Sequence, residues 1–231
     1  MKSAFLIIAT GPKYIQYAVR LIESIREYIG LKPQVIAFTD KPQALQQHAR
    51  VFTVDPMGYP EATLMRYHTI LSKEHILRQE GYQQLFYVDA DMLFVDDVKM
   101  DEIESPGLMA TLHPGYVGGR GTPETNPAST AFCNNTYYYC GGFQGGEINA
   151  YLSAAKVMAE NIDTDKKNGV MARWHDESHW NKYLTTNPIG KRLDPSFCYP
   201  EAANDFYKNK WAAAGLNVKP RLLALTKRDG R

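Results

Sequence analysis

Short apolar runs alternate with stretches whose apolar residues recur every three to four positions along the first 160 residues. A short apolar run is typical of a buried strand, and the 3.6-residue recurrence is typical of an amphipathic helix. The runs predict strands at 4–9, 35–38, 85–88 and 108–112, and the periodic stretches predict helices at 14–29, 61–79 and 148–160. This alternation favours an α/β fold with a mixed, mostly parallel sheet flanked by helices.

Two acids separated by one residue follow the apolar run at 85–88. In an extended chain, Asp89 and Asp91 lie on the same side and can bind one hard cation, Mn²⁺ or Mg²⁺. Their position supports this, because ligands bind at the carboxyl ends of strands in open α/β sheets. A second Asp-x-Asp at 163–165 follows no strand, and we predict a solvated turn without a functional role there.

The segment 174–183 reads Trp-His-Asp-Glu-Ser-His-Trp-Asn-Lys-Tyr, with two carboxylates and two imidazoles in its first six positions. Burial of these groups without partners would cost several kcal/mol each. The flanking Trp174 and Trp180 argue against a freely solvated helix face, so we expect the segment to line an active site. Two further elements predict ligand contact: the long polar loop 118–135, and the glycine-rich stretch 137–146, whose backbone can approach a ligand closely.

Two other classes of protein remain open on these residues. His175 and His179 are four positions apart and could bind zinc in a metallohydrolase, although Glu177 is then one place, or about 100°, from the usual base. A non-catalytic carbohydrate-binding domain would use the aromatic residues, 12% of the chain, as sugar platforms. That class leaves the acid pair and Glu177 without a role.

The composition of the chain indicates the number of domains, the kind of partner and the cellular compartment. A chain of 231 residues suits one domain, and a net charge of +1 predicts no nucleic-acid partner. Three cysteines without C-x-x-C spacing fit a reducing compartment, and we expect a cytoplasmic protein. The run 4–9 is too short to span a bilayer and lacks a cleavage site, so we expect neither a membrane-spanning segment nor a targeting segment. The oligomeric state is left open.

Together these features suit a reaction on a nucleotide-sugar. A metal ion at Asp89 and Asp91 would neutralise a diphosphate leaving group, and Glu177 would face the anomeric carbon, where positive charge develops. The chain also resembles glycosyltransferase family six, the retaining α1,3-galactosyl- and N-acetylgalactosaminyltransferases that include the histo-blood-group A and B enzymes. The matching motifs are Phe-Thr-Asp at 38–40, Tyr-Val-Asp-Ala-Asp-Met at 87–92, Thr-Leu-His-Pro-Gly at 111–115, Tyr-Tyr-Cys-Gly-Gly-Phe at 138–143 and Trp-His-Asp-Glu-Ser-His at 174–179.

The resemblance implies a GT-A fold, a UDP-sugar donor and a set of site residues. Glu177 would be the catalytic carboxylate over the anomeric carbon, and Asp89 and Asp91 would bind Mn²⁺ or Mg²⁺. The implied donor-binding residues are Ala9, Thr10, Tyr14, Arg66, Asp89, Asp91, Cys140, Gly141, Gly142, Asp176 and Lys227. The implied acceptor-binding residues are His113, Thr122, Trp174 and Glu201. The acceptor loop departs from the family, with Thr125 and Asn126 in place of paired arginines.

The resemblance also implies the reaction: transfer of GalNAc from UDP-GalNAc to the galactose of a fucosylated, H-antigen-like oligosaccharide, with retention of configuration. An α1,3-galactosyltransferase that uses UDP-Gal is the alternative. We expect one catalytic domain over 1–231, with a nucleotide-binding half at about 1–95, an acceptor-binding half at about 96–218 and a mobile tail at 219–231. Bacterial members often carry Asn-x-Asn and work without metal, so the Asp-x-Asp of this chain implies metal dependence.

Overall fold

The computed structural model describes residues 1–30 and 32–227; the last four residues of the predicted tail, 228–231, lie outside the described residues. Ten strands lie in this part of the chain: Ser3–Ala9 (β1), Gln34–Thr39 (β2), Arg50–Thr53 (β3), Gln84–Val88 (β4), Met92–Phe94 (β5), Leu108–Leu112 (β6), Tyr139–Glu147 (β7), Ile189–Leu193 (β8), Tyr199–Pro200 (β9) and Leu222–Ala224 (β10). The described helices are Gly11–Tyr28 (α1), Pro42–Leu45 (α2), Glu61–Leu64 (α3), Arg66–Leu71 (α4), Glu74–Gln79 (α5), Met100–Ile103 (α6), Ile148–Lys167 (α7), His175–Leu184 (α8) and Asp205–Ala213 (α9), with 3₁₀ turns at Pro114–Tyr116 and Pro195–Cys198.

The main sheet has seven strands in the order β3-β2-β1-β4-β7-β6-β8. Strands β3, β2, β1 and β4 run parallel, β7 is antiparallel to both neighbours, and β6 pairs in parallel with β8. The predicted mixed, mostly parallel α/β sheet flanked by helices is therefore confirmed, and it has the character of a GT-A fold.

Two layers of core cover the sheet. Helix α1 packs on one face through its apolar stripe, which includes Ala18, Leu21, Ile22 and Ile25. Helices α4, α7 and α8 pack on the other face, where Trp180 is fully buried. Because both faces are covered, residues 4–9 of the central strand β1 are all apolar and buried, as predicted.

A small second sheet places the C-terminal segment beside the acid pair. Strand β5 follows Asp91 directly and pairs antiparallel with β10, which pairs in turn with β9. Beyond β10, the Leu225 amide donates to the Asp91 carbonyl at 3.0 Å. This hydrogen bond holds the C-terminal segment, which carries Lys227, at the end of β4.

Two of the predictions on local structure were wrong. The helix expected at 61–79 is three short helices, because the backbone leaves helical geometry at Met65 and Lys73. The turn expected at 163–165 is the end of α7, where Asp165 is 2% exposed and therefore not solvated. Its carboxylate accepts from the Ser129 hydroxyl at 2.6 Å and from the Thr130 amide at 2.8 Å. Asp165 thus fixes the long loop that follows residue 118 to α7.

No helix among residues 1–30 and 32–227 is long and apolar enough to cross a membrane. The division into two halves and a tail stays a prediction.

Candidate active site

A cavity of about 410 Å³ opens where β1 and β4 end and α8 begins. Eleven of the residues expected in the site line it: Thr10, Tyr14, Arg66, Asp89, Asp91, Gly141, Gly142, Trp174, Asp176, Glu177 and Lys227. The fold therefore brings residues from three of the five matching motifs, those at 87–92, 138–143 and 174–179, to one place.

The acid pair lies on the floor of the cavity. Asp89 Oδ1 accepts from Arg66 Nη2 and from the Tyr87 hydroxyl, each at 2.8 Å. Asp91 Oδ2 lies 3.1 Å from Lys227 Nζ. Burial and the neighbouring Asp89 charge raise the pKa of Asp91. Asp91 in turn raises the pKa of Lys227 to about 12, against the opposing effect of burial.

Arg66 connects the acid pair to the other carboxylates. It begins α4 directly after the break at Met65 and is only 3% exposed. Nη1 donates to the Gly141 carbonyl at 2.5 Å and lies 2.8 Å from Asp176 Oδ2. The guanidinium stacks over the Tyr87 ring at 4.0 Å, so one buried cation holds Asp89 and Asp176 on either side of it.

Asp176 is the most deeply buried acid of the cavity, at 1% exposed. Burial raises its pKa to about 7, although the Arg66 charge acts in the opposite direction. Despite the ion pair, neither of its oxygens has a hydrogen-bond partner within the described residues. A buried acceptor without a hydrogen bond is costly, and a ligand hydroxyl would remove that cost.

Glu177 lies in the first turn of α8, where the helix dipole stabilises negative charge. Its Oε2 accepts from the Gly141 amide at 2.8 Å. Burial raises the pKa of Glu177, while the Gly141 amide and the Tyr138 hydroxyl lower it. The carboxylate is thus held by backbone at the cavity wall.

The paired glycines allow the close approach of β7 to these groups. A Cβ at Gly141 would lie 3.3 Å from both Arg66 Nη1 and the Glu177 Cβ. A Cβ at Gly142 would lie 3.0 Å from Asp89 Oδ2 and 3.2 Å from the Met92 sulfur. The glycine-rich stretch therefore forms a wall of the site, within a strand.

Trp174 lies at the rim, 42% exposed, and its indole Nε1 donates to the Thr122 hydroxyl at 2.9 Å. Two residues expected to bind the acceptor are thereby joined. The same loop is anchored by the buried Glu124, whose carboxylate accepts from the amides of Asn126 and Arg173.

Five expected site residues do not line the cavity: Ala9, His113, Thr122, Cys140 and Glu201. Ala9 and Cys140 are buried in the core, Cys140 beside Cys198. Burial lowers the pKa of His113 to about 4, and its Nδ1 accepts from the Gly115 amide. Glu201 accepts from the Thr226 amide at 2.8 Å, so it fastens the segment that carries Lys227.

The two histidines of the metallohydrolase alternative do not form a metal site. His175 stacks edge-on against Tyr59 at the rim, with its backbone in the left-handed region at φ 50°. His179 is buried, and its Nε2 lies 3.8 Å from Asp165. Over the described ranges, no cluster of three or more His, Cys, Asp or Glu side chains could hold a metal ion by itself.

Sequence reasoning missed four residues in or beside the site. Tyr87, near the end of β4, supports Asp89 two positions later, a relationship that strand periodicity could have indicated. Met57 and Tyr59 line the cavity from an irregular segment, and Glu124 is a lone acid in a polar loop. None of the last three positions carries a sequence pattern that distinguishes it from an ordinary loop residue.

Comparison with known proteins agrees with this geometry. The profile of glycosyltransferase family 6 matches residues 5–211. The chain is 28% identical over 205 residues to the rat histo-blood group ABO system transferase 1, covering 82% of this chain and 58% of that protein. It is 29% identical over 213 residues to the human globoside alpha-1,3-N-acetylgalactosaminyltransferase 1, covering 84% and 60%.

A bacterial relative is also similar: the Escherichia coli O-antigen biosynthesis glycosyltransferase WbnI, 24% identical over 161 residues and 67% of each chain. The chain spans about three fifths of the length of the mammalian relatives that it matches. The family match includes the acid pair, the first turn of α8 and every residue that lines the cavity except Lys227. The chain belongs to glycosyltransferase family 6.

Proposed function

We propose that the protein transfers GalNAc from UDP-GalNAc to the galactose of a fucosylated, H-antigen-like glycan, forming an α1,3 bond with retention of configuration. The observation that carries the proposal is the joint placement of four carboxylates. Asp89 and Asp91 line the same cavity as Asp176 and Glu177, and the buried Arg66 holds one acid of each pair.

The donor fits the cavity in size and chemistry. A volume of about 410 Å³ lies within the range of small-ligand sites. In this proposal the uridine lies at Thr10 and Tyr14, beside the backbone at Ala9. The sugar hydroxyls then supply the hydrogen bonds that the two Asp176 oxygens lack.

The acid pair suits a divalent cation that is completed by substrate. Mg²⁺ and similar hard cations are commonly held by one or two carboxylates together with substrate phosphates and water. The Lys227 ammonium group already lies against Asp91, so the acid pair attracts positive charge. Asp89 and Asp91 would hold Mn²⁺ or Mg²⁺, which when bound would neutralise the diphosphate leaving group. Lys227 would bind the diphosphate itself.

Glu177 would act beneath the anomeric carbon. An ionised carboxylate there serves either as a nucleophile or as the group that stabilises positive charge on the ring carbon. The Gly141 amide holds Oε2 in place for both roles. In either case the carboxylate acts mainly in the transition state, so it contributes to turnover more than to donor affinity.

Gly142 supports GalNAc as the sugar. It lines the cavity, and the resemblance to the family associates a glycine at this position with GalNAc. The human relative is named for N-acetylgalactosaminyl transfer. UDP-Gal is the second candidate donor, because another relative is named a galactosyltransferase.

The acceptor would bind at the rim. Trp174 presents an exposed ring beside the cavity, and Thr122 fixes that ring through the indole N–H. His113 and Glu201 belong to the same proposed acceptor region, although neither lines the cavity.

A donor screen tests the proposal. Purified protein is incubated with UDP-GalNAc or UDP-Gal and fucosylated lactose, in Mn²⁺, Mg²⁺ or EDTA, and the product linkage is determined by NMR. We expect an α-linked GalNAc product that depends on metal. A higher kcat/KM for UDP-Gal would overturn the donor assignment, and a β-linked product would overturn retention. A carbohydrate-binding domain would release no UDP under any condition.

A further inference from the structure

Phe206 is an exposed aromatic side chain that the proposed reaction does not use. It is 56% exposed and lies in the first turn of α9, where the Asn204 side chain accepts from its amide at 3.1 Å. Single exposed apolar residues are common on protein surfaces. Phe206 differs from such residues because a row of aromatic rings and Lys210 lies between it and Glu177.

Helix α9 is fastened to the turn that follows His113. Lys210 Nζ donates to the Gly115 carbonyl at 2.7 Å, and the indole Nε1 of Trp211 donates to the Pro114 carbonyl at 2.9 Å. These bonds fix α9 against the end of β6. The helix is therefore a rigid extension of the side of the molecule where we place the acceptor.

A row of rings leads from the catalytic carboxylate out to Phe206. The Tyr138 hydroxyl lies beside Glu177, and the Tyr138 ring is 5.3 Å from the half-buried Tyr116 ring. Lys210 Nζ lies 5.8 Å above the Tyr116 ring and 4.5 Å above the Phe206 ring. The ammonium thus bridges the two rings and restrains both, since a cation is attracted to an aromatic face.

We propose that Tyr116, Lys210 and Phe206 form an acceptor subsite for the sugars beyond the galactose that receives GalNAc. The proposal rests on the proposed function and adds the substrate class, a neutral oligosaccharide of three or more sugars. The apolar face of a pyranose packs on an exposed aromatic ring, and Lys210 lies beside that ring to donate to sugar hydroxyls. The restrained rings lose little freedom on binding, which favours recognition.

The test compares acceptor length in the wild type and in Phe206→Ala. KM and kcat are measured with UDP-GalNAc and two fucosylated acceptors, one ending after the galactose and one extended by two neutral sugars. We expect the wild type to have a KM roughly two- to tenfold lower for the longer acceptor, the effect of one stacked ring. Phe206→Ala should abolish that difference and leave kcat, the KM of the short acceptor and acceptor-free UDP-GalNAc hydrolysis unchanged.

Two variants control the comparison. Phe206→Tyr keeps an exposed ring and should keep the length preference. Val157→Ala trims another exposed apolar side chain, on α7, and should change nothing. Equal KM values for the two acceptors in the wild type, or an undiminished preference in Phe206→Ala, would overturn the subsite while transfer itself continued. Absence of transfer to either acceptor would instead refute the proposed function, and the subsite with it.

Discussion

Arg66 Nη1 lies 2.8 Å from Asp176 Oδ2, and the two side chains are 3% and 1% exposed. The pair joins α4 to α8 across the floor of the cavity. A buried carboxylate is stable only with compensation, and here the compensation is partial, because neither Asp176 oxygen accepts a hydrogen bond from the described residues. The site is therefore prepared for a ligand that donates hydrogen bonds.

The raised pKa of Asp176 predicts a pH dependence of stability. Burial places this pKa at about 7 in the folded protein, above the ordinary value of about 4. The folded state then holds a proton that the unfolded state has lost, so stability falls as pH rises from about 4 to about 7 and is level above that range. Urea unfolding at a series of pH values should show this fall in the wild type. Asp176→Asn should show a smaller fall, since the raised pKa values of Asp91 and Glu177 still contribute, whereas Asp163→Asn, at an exposed carboxylate, should retain the full fall.

The acid pair should bind Mn²⁺. Asp89→Asn and Asp91→Asn should each weaken Mn²⁺ binding in the presence of UDP by at least tenfold in calorimetry, because a carboxylate ligand is lost. Turnover should fall by a few kcal/mol of transition-state stabilisation, roughly a hundredfold or more. Asp163→Asn, in the second Asp-x-Asp, is the matched control and should bind Mn²⁺ normally. Full wild-type activity in excess EDTA would contradict this prediction.

Gly142→Ala should impair the site from the opposite wall. The new Cβ would lie 3.0 Å from Asp89 Oδ2, so the carboxylate must shift. We expect weaker Mn²⁺ binding and a kcat/KM for UDP-GalNAc that is about tenfold lower. A tenfold loss corresponds to about 1.4 kcal/mol of electrostatic stabilisation lost when the carboxylate moves. Gly30→Ala, where an added Cβ meets only the Val98 carbonyl at 3.9 Å, should leave both unchanged. Normal metal affinity in Gly142→Ala would show that Asp89 is not confined by this glycine.

Glu124 should control acceptor binding without touching the donor. Its carboxylate joins the Thr122 loop to the Arg173 amide, directly before Trp174. Glutamine keeps only one acceptor oxygen, so Glu124→Gln loses one of the two charge-assisted hydrogen bonds and weakens the other, each worth roughly 1.5–3 kcal/mol, and should loosen the rim. We expect a severalfold higher acceptor KM with unchanged acceptor-free UDP-GalNAc hydrolysis. The exposed Glu160→Gln on α7 serves as the control. A loss of hydrolysis equal to the loss of transfer would contradict a role confined to the acceptor side.

The sequence predicted the strands and helices whose apolar residues form a continuous run or a periodic stripe. The first strand, α1, the strand before Asp89 and α7 all lie where the apolar pattern indicates, because each buries a continuous stripe or run. The segment 174–179 was recognisable because titratable groups at that density need a polar site. The break at Met65 was not visible, since nothing local forbids a continuous helix; it is required by the inward direction of Arg66.

Long-range polar contacts could not be predicted from the local sequence pattern. In the sequence, Asp165 lies in a polar stretch that is typical of a solvated segment. In the structure, Ser129 and Thr130, over thirty positions away, donate hydrogen bonds to its buried carboxylate. Glu124 and Arg173 are brought together in the same way across 49 positions. Such partners are known only once the fold has placed the loop.

The central claim is that the Glu177 carboxylate acts on the anomeric carbon, and turnover of Glu177→Gln at saturating UDP-GalNAc tests it most directly. The amide oxygen can still accept from the Gly141 amide, so the variant keeps its position and loses only the charge. Donor affinity by calorimetry confirms an intact site, and Asp176→Asn, which should weaken both affinity and rate, provides the contrast. The account predicts that turnover falls by orders of magnitude while donor affinity is nearly unchanged. Near-normal turnover in Glu177→Gln would contradict it.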